Sequence, residues 1–526
     1  MTVLDWIVIA VYLLAIIAMG LWMGRKEDDM EDYFLGGRNI PWWAATLSLI
    51  ATEISAATFL GAPEQGYLRD FTYLQFGIGS ILARFVLAYL FMDVFYRLKV
   101  FTVYGFLTER FGFPTRNCAA GAFLLGRLFA GGSRVFIASL AVMVVTGFNM
   151  SLSIAVLGAI AIGYTLFGGI KAVIWTDVIQ AVILVAGALL CVTTLMGEVP
   201  FTAGETIDYL DQHHKLRFFG SGDALGNAYH WLPAIFGGFF LTMATHGTDQ
   251  SMIQRLLTCK DSGRGKLGMV LSGFGGIGVT IVFIIVGMLL FVIVTTRPET
   301  DALVLKAAEL KDAGRNGDLF LYYILDGLPS GVSGLLIAAV IAAAMSSIDS
   351  ELNAMSSTVV NDFYKPMFNP NGTQQDFLRM ARYATVAGGV LLIVVGIAIS
   401  NFYLKNPDTD LLSIALGVMT LFYGALLGVF LVGLLTRFRG SSITNITGMT
   451  LSTLLIILIN YKAKLLPALG LIDPNAPGSG FIAWFYGLKL AWPWFIIIGT
   501  GVTFGIAVLG LTAREIANRY HADDSA

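Results

Sequence analysis

The chain has 526 residues, of which 56% are hydrophobic and 13% are charged, and its formal net charge is −2. A soluble domain usually carries about 25% charged residues, so most of this chain is expected to lie in a membrane. The near-neutral charge gives no sign of a nucleic-acid partner. The three cysteines and five histidines show neither disulfide nor metal-ligand spacing, which argues against an embedded metalloenzyme.

Apolar segments of about 20 residues, the length that crosses a bilayer, occur about thirteen times along the chain. The first has neither a basic n-region before it nor a small-residue cleavage site, so we expect it to remain as a span. The predicted spans lie near residues 4–24, 41–66, 71–96, 116–146, 150–168, 172–197, 231–255, 265–296, 331–364, 378–400, 410–435, 443–465 and 488–513.

Lys and Arg concentrate in alternate short loops, and cytoplasmic loops of membrane proteins carry the excess of these residues. This distribution predicts an outside N-terminus and an inside C-terminus. The cations assigned to inner loops are Arg25, Lys26, Arg38, Arg97, Lys99, Arg110, Arg116, Lys171, Arg255, Lys260, Arg264, Lys266, Lys365, Arg379, Arg382, Arg437 and Arg439.

Two spans carry polar interruptions, LIATEISAATFLGAP at 49–63 and LTMATHGTDQ at 241–250. Backbone that leaves the helical conformation inside lipid must line a cavity or be buried in protein. Interrupted spans at corresponding positions of two halves are typical of a transporter's binding site. The alternative is that small residues only let two spans pack closely, which does not explain Glu53, His246 or Asp249.

Each interrupted span is followed by four more, and an odd number of spans per half gives the halves opposite orientations. The sequence therefore predicts an all-α polytopic membrane protein with a 5+5 inverted-repeat core. The expected parts are a first span and cytoplasmic loop (1–40), a first five-helix repeat (41–197), an outer loop (198–230), a second repeat (231–435), and two peripheral spans with a short cytoplasmic tail (436–526).

The stretch IAAAMSSIDSELNAMSS, at 341–357, is unusually polar for a span. At 100° per residue, five of its polar side chains fall on one stripe about 100° wide, and Ser347 flanks it. Oxygen ligands of this kind suit small cations. Serines that bond back to their own helix carbonyls are the alternative. The stripe consists of Ser346, Asp349, Ser350, Asn353 and Ser357.

A further membrane acid, Asp177, lies in VIWTDVIQ. Left bare, Asp177 and Asp349 would cost about 5–7 kcal/mol together on insertion scales. A bound cation or protonation of one acid would relieve this cost, and either implies coupling to an ion or a proton.

Four motifs in this order resemble the sodium:solute symporter family: YGFLTERFG (104–112), YTLFGGIKAVIWTDVIQ (164–180), DQSMIQR (249–255), and AAAMSSIDSELN followed by NDFY (361–364). The resemblance covers about residues 4–440. It implies the inverted-repeat fold first described for a leucine transporter, and sodium as the coupling ion.

Carried over by position, the resemblance implies a sodium site made by the carbonyls of Ala51, Ile54 and Ala343 and the hydroxyls of Ser346 and Ser347. Some members hold a second sodium, and the matching positions here are Asp177, Ser346, Asp349 and Ser350. Because Asp349 replaces a hydroxyl found in some two-sodium members, this second place could hold sodium, hold a proton, or tune the first site.

The solute is expected beside the two interruptions. Arg134, in GGSRVFIASL, matches an arginine of the sialic acid branch that receives the substrate carboxylate, and a guanidinium suits a carboxylate. Arg127 lies seven residues earlier on the same face. The alternative is a permanent salt bridge from Arg134 to Glu53. Arg84 with Asp93 is expected to be structural and outside the cavity.

The predicted solute-binding residues are Glu53, Ser55, Thr58, Arg134, Thr245 and His246. Glu53 could pair with Arg134, bind a cationic part of a solute, or titrate. The sugar-transporting branch has polar residues after its first interruption where this chain has Ala57 and Thr58, so its sugar contacts are not retained.

The sequence thus predicts a sodium-coupled symporter for a carboxylate-bearing solute such as an acidic sugar, a monocarboxylate or a pantothenate-like acid. A neutral sugar or polyol is the alternative. A membrane-embedded solute sensor is the weaker expectation, because the segment after Leu511, TAREIANRYHADDSA, is too short for a signalling domain. We expect a monomer in a bacterial inner membrane, with solute, sodium and lipid as partners, no nucleic acid and no enzymatic activity.

Overall fold

The computed structural model describes residues 1–23, 29–405, 411–473 and 480–512, without the side chains at 21, 57, 164, 167, 168, 411–416 and 418. The predicted inner-loop cations Arg25 and Lys26, the side chain of Ala57 and the predicted cytoplasmic tail beyond 512 lie outside this description.

The described residues form helices, and the strand-type pairing recorded among them is an isolated bridge between Arg439 and Leu511. The helices of the first half are α1 (Val3–Met23), α2 (Met30–Leu35), α3 (Trp42–Glu53), α4 (Ala56–Leu68), α5 (Gln75–Leu90), α6 (Met92–Leu98), α7 (Gly105–Phe111), α8 (Phe113–Thr146), α9 (Met150–Glu198) and α10 (Ala203–Gln212). Those of the second half are α11 (Trp231–Gly247), α12 (Gln250–Leu257), α13 (Ser262–Thr296), α14 (Ala302–Asp312), α15 (Leu319–Asp326), α16 (Val332–Thr358), α17 (Gln374–Leu404), α18 (Leu411–Leu435), α19 (Ser442–Ala468), α20 (Phe481–Gly487) and α21 (Pro493–Leu509).

Among the described residues, eight helical segments are long and apolar enough to cross a membrane, or nine if α3 and α4 count as one bent span. Each of the thirteen predicted segments overlaps a helix or a broken pair of helices. Several of these helices, including α21, are too short to cross a membrane by themselves. The all-helical membrane fold is therefore confirmed, and the count of thirteen stays a prediction.

The predicted interruptions coincide with helix ends. The first is a 58° bend between α3 and α4, and the second separates α11 from α12. Asp249 begins α12 as its N-cap, accepting from the Ser251 amide at 2.8 Å. The predicted boundary between spans 150–168 and 172–197 also exists, as a kink inside α9 at Gly169. Gly169 has φ 48° there, a left-handed value that glycine adopts without a Cβ penalty.

The helices of the two predicted repeats pack reciprocally. The second half of the first broken span, α4, packs against α13, and α11 packs against α5. Among the remaining helices of the two predicted repeats, α8 packs against α17 and α9 packs against α16. Each such pair joins a helix of one predicted repeat to a helix of the other, and the 5+5 inverted repeat stays a prediction.

The polar helix α16 lies in the interior. Every residue from Ala342 to Thr358 is buried, and a π-helical segment, Val359–Phe368, continues it. Helices α1, α8, α9 and α17 surround it. A polar stripe is tolerated here because protein, not lipid, covers it.

One assignment to the inner loops is wrong. Arg255 belongs to α12, and its side chain is fully buried. Hydropathy suggested a span end at this point, whereas α12 continues as a helix beyond the interruption. The N-out, C-in orientation and the domain limits stay predictions.

Candidate functional site

A cavity of about 170 Å³ lies between the two broken helix pairs. Its wall combines the α3–α4 bend with residues of α5, α8, α11, α12, α13 and α18. The structure places all six predicted solute-binding side chains in this wall, and their role in binding stays a prediction. They are Glu53, Ser55, Thr58, Arg134, Thr245 and His246.

Arg134 approaches the cavity from α8, and its salt-bridge partner differs from the expected one. The guanidinium donates to Glu351 on α16 at 2.5 Å, so the predicted alternative of a bridge to Glu53 is wrong. The same Glu351 oxygen accepts from Arg127 at 2.8 Å. Arg127 also pairs with Asp249 at 2.5 Å. Arg127 is fully buried, whereas Arg134 retains 7% exposure.

These four charged residues form a network with two positive and two negative charges, which joins α8, α16 and the second helix break. Sequence reasoning missed Glu351, because it lies off the polar stripe of its helix. Two arginines seven residues apart in an apolar helix were a usable signal, since buried arginines require acidic partners.

Glu53 lies at the C-terminal end of α3 and pairs with Arg84 of α5 at 2.5 Å. Arg84 is nearly fully buried, while the Glu53 side chain is 29% exposed. The Arg84 Nη2 also lies 3.0 Å from Nε2 of His246. The expected association of Arg84 with Asp93 is wrong, because Asp93 pairs with Lys266 at 2.7 Å. Arg84 thus supports a residue of the cavity wall.

The predicted first cation site lies where the bend in α3–α4 meets α16. An unbroken helix would use the Ala51 carbonyl to accept from the Ser55 amide, but that amide donates to the Glu53 carbonyl at 3.1 Å. The Ala51 carbonyl instead accepts from the Ser346 hydroxyl at 2.9 Å. The helix break therefore frees main-chain oxygens toward α16.

The Ser347 hydroxyl completes this cluster. It lies 3.3 Å from the Ala343 carbonyl and 3.3 Å from the Thr52 carbonyl. The predicted oxygens of Ala51, Ala343, Ser346 and Ser347 are thus gathered in one place, with Thr52 as an addition that sequence reasoning missed. Ile54 ends α3 beside them, and its amide donates to Ile50. Carbonyl and hydroxyl oxygens are ligands that suit a hard cation.

The predicted second cation site contains a guanidinium. Arg255 Nη2 lies 3.1 Å from the Asp177 carboxylate, and the same group donates to the Ser350 hydroxyl. Ser350 lies 3.0 Å from Asp349. Asp177, Asp349 and Ser350 are therefore together, while the Ser346 hydroxyl is directed to the first site. Arg255 adds a guanidinium between Asp177 and Ser350, and sodium binding at this second place stays a prediction.

Outside the membrane-spanning segments, Lys215 contacts the C-terminal end of α4. Its ammonium donates to the Tyr67 carbonyl at 2.6 Å and lies 4.0 Å from the centre of the Phe291 ring. Burial of this side chain lowers the pKa of Lys215 to about 8, and the Coulomb attraction of Asp70 opposes the shift. The segment that follows α10 thus fixes the end of the helix that begins at the cavity.

Comparisons with known proteins agree with the family resemblance of the four sequence motifs. The family model of the sodium:solute symporter family matches residues 33–466. The sodium/sialic acid symporter of Aliivibrio fischeri is 29% identical over 442 residues, covering 82% of this chain and 83% of the relative. The sodium/glucose cotransporter of Vibrio parahaemolyticus is 29% identical over 412 residues, covering 74% of each chain.

Among solved structures, a Na⁺-coupled sialic acid symporter in a substrate-bound outward-open state has a similar fold. The TM-score is 0.81 at 22% identity, with 97% of both chains covered. At 22% sequence identity, this structural similarity is evidence for the fold alone.

Proposed function

The chain belongs to the sodium:solute symporter family, and from this premise we propose that it imports a small carboxylate-bearing solute together with sodium. It is a multi-pass membrane protein, and its family and relatives are transporters rather than enzymes. An acidic sugar is the solute class that the cavity and the sialic acid relatives support best.

The observation that supports sodium coupling most directly is the cluster of hydroxyl and carbonyl oxygens between the broken span and α16. Ser346 and Ser347 reach carbonyls that only the break in α3 makes available. A sodium ion bound there would tie the bent span to α16. Since a ligand shifts a conformational equilibrium only by its differential affinity for the two states, a site shared by two separate elements is suited to coupling.

The charge balance supports an acid as the solute. Arg127, Arg134, Asp249 and Glu351 sum to zero before the solute arrives. A solute carboxylate at Arg134 adds one negative charge, and one sodium ion entering with it restores neutrality. At the second place the single guanidinium of Arg255 faces the two carboxylates of Asp177 and Asp349, so the one sodium per solute that we propose is the ion at the first site.

The reciprocal packing of helices from the two halves supports alternating access. In this proposal the broken spans move with α5 and α13 against α8, α9, α16 and α17 in a 5+5 inverted repeat of thirteen spans, N-out and C-in. A single chain contains both the cation cluster and the cavity, so a monomer suffices. The bacterial relatives support placement in an inner membrane.

The test is uptake by purified protein in proteoliposomes with and without an inward sodium gradient. Labelled sialic acid, glucuronate, pyruvate, pantothenate and glucose form the panel, and Arg134→Ala is compared with wild type. Arg264→Ala is the matched control, because Arg264 is exposed at the start of α13 and outside the cavity wall. We expect sodium-driven uptake of an acid that Arg134→Ala abolishes and Arg264→Ala preserves.

A neutral sugar is the second candidate, favoured by the hydroxyl groups in the cavity wall and by the Vibrio parahaemolyticus relative. Sodium-driven glucose uptake that persists in Arg134→Ala would establish this alternative and reduce Arg134 to a structural role. Saturable binding of an acid without uptake would instead indicate a solute sensor.

A further inference from the structure

The cavity wall made by α11 and α13 offers threonine hydroxyls whose protons are already used. Thr280 donates to the Gly276 carbonyl at 2.9 Å. Thr245 donates to the Leu241 carbonyl at 2.9 Å. A hydroxyl has one proton to donate. Both threonines therefore present lone pairs, and not protons, to the cavity.

The neighbouring His246 also has no proton to give. A guanidinium is only a donor, so the contact between Arg84 and His246 Nε2, at 3.0 Å, makes Nε2 the acceptor. The ring proton is then on Nδ1, which donates to the Thr245 oxygen at 2.9 Å. The imidazole is neutral, and both of its nitrogens are used within the protein.

Glu53 adds a carboxylate to this wall. Its Oε2 atom accepts from Arg84 at 2.5 Å. Within the described part of the chain, no side chain or backbone group donates to Oε1. The Glu53 side chain is 29% exposed, and its partner Arg84 is almost fully buried. Oε1 is thus an acceptor available to a solute.

Ser80 differs from its neighbours in the wall. Its oxygen accepts from Arg84 at 2.7 Å and from Thr242 at 2.9 Å, and among the residues that the structure describes no group accepts the Ser80 proton. This part of the wall therefore needs a partner that can donate to Glu53 and also accept from Ser80. A hydroxyl group does both, whereas an ammonium group only donates.

On the basis of acid symport at this cavity, we propose that the solute is a polyhydroxylated carboxylic acid whose hydroxyl groups donate to Glu53 while Arg134 receives its carboxylate. A donor-poor acid such as pyruvate would leave the acceptors of Glu53 and Thr280 without partners, which costs binding free energy. The ammonium group of an amino acid could donate to Glu53, but it could not accept from Ser80 and would lie beside the Arg84 guanidinium. Glu53 is therefore a specificity-determining residue.

The experiment compares sodium-driven uptake of sialic acid, glucuronate, pyruvate and proline in proteoliposomes. Wild type is expected to take up at least one of the two hydroxylated acids with a kcat/KM at least tenfold above those for pyruvate and proline. A site that hydrogen-bonds substrate hydroxyls strongly rejects analogues that lack them. Glu53→Gln is expected to lower this preference about tenfold to a hundredfold.

Because Glu53→Gln also leaves Arg84 without its carboxylate, Thr280→Val provides a second variant that changes no charge. It is expected to raise KM for the hydroxylated acid about tenfold and to leave any pyruvate uptake unchanged. Thr296→Val is the matched control, since Thr296 lies on the same helix and likewise donates to the carbonyl four residues earlier, away from the cavity.

Efficient sodium-driven uptake of pyruvate or proline by wild type would overturn this inference and leave acid symport, or symport itself, standing. An unchanged preference in both Glu53→Gln and Thr280→Val would overturn it as well. Absence of sodium-driven uptake for every acid would instead refute the proposed function.

Discussion

The most specific consequence of the structure concerns the Ser346 hydroxyl. Ser346→Ala removes a proposed sodium ligand and the 2.9 Å hydrogen bond to the Ala51 carbonyl. An interaction of this kind with a charged group is worth about 1.5–3 kcal/mol. At about 1.4 kcal/mol per factor of ten, the half-saturating sodium concentration should rise about tenfold to a hundredfold.

The matched control is Ser356→Ala on the same helix. Ser356 is also buried, and its hydroxyl donates to the Ala381 carbonyl of α17 at 2.8 Å. Both variants lose one serine-to-carbonyl bond between helices, so both should lower the free energy of unfolding by about 1 kcal/mol. Sodium-dependent uptake measured over a series of sodium concentrations distinguishes them. An equal sodium dependence in Ser346→Ala, Ser356→Ala and wild type would refute the placement of the cation.

Two further predictions concern stability and ionisation. Gly131→Ala should lower the free energy of unfolding by about 1–3 kcal/mol, because the added Cβ would collide with the Glu351 carboxylate. Gly121→Ala on the same helix adds a Cβ that has no neighbouring atom within 4 Å, so thermal unfolding should show unchanged or increased stability. Equal losses of stability in the two variants would contradict the location of Glu351. Lys215, with its pKa lowered from 10.5 to about 8 by burial, should show amine acylation with a midpoint near pH 8. Since the unfolded chain binds more protons between these values, the contribution of Lys215 to stability should rise with pH across this window, and a midpoint near 10.5 would refute its burial.

The sequence predicted the helices and the breaks because both depend on local composition. The interruption at Glu53 and the one at Asp249 are polar residues in apolar segments, and lipid permits such residues only where protein covers them. The stripe on α16 follows from the helical period alone. Ser346 and Ser347 could therefore be placed together without knowledge of any neighbouring helix.

The partners of the buried charges could not be predicted in this way. Arg134 pairs with Glu351 and not with Glu53, because α8 packs against α16 at this level. Arg255 reaches Asp177 because the chain continues as the short helix α12 after the break. These pairings depend on which faces of distant helices meet, and the periodicity of a single helix does not contain that information.

The central claim is that one sodium ion, bound between the broken span and α16, moves with one molecule of acid. It is tested most directly by measuring ²²Na⁺ entry and labelled acid entry in the same proteoliposomes, with wild type and Ser346→Ala. We predict equal molar fluxes of sodium and acid in wild type, and a parallel loss of both in the variant at low sodium. Acid entry without sodium entry would contradict the account.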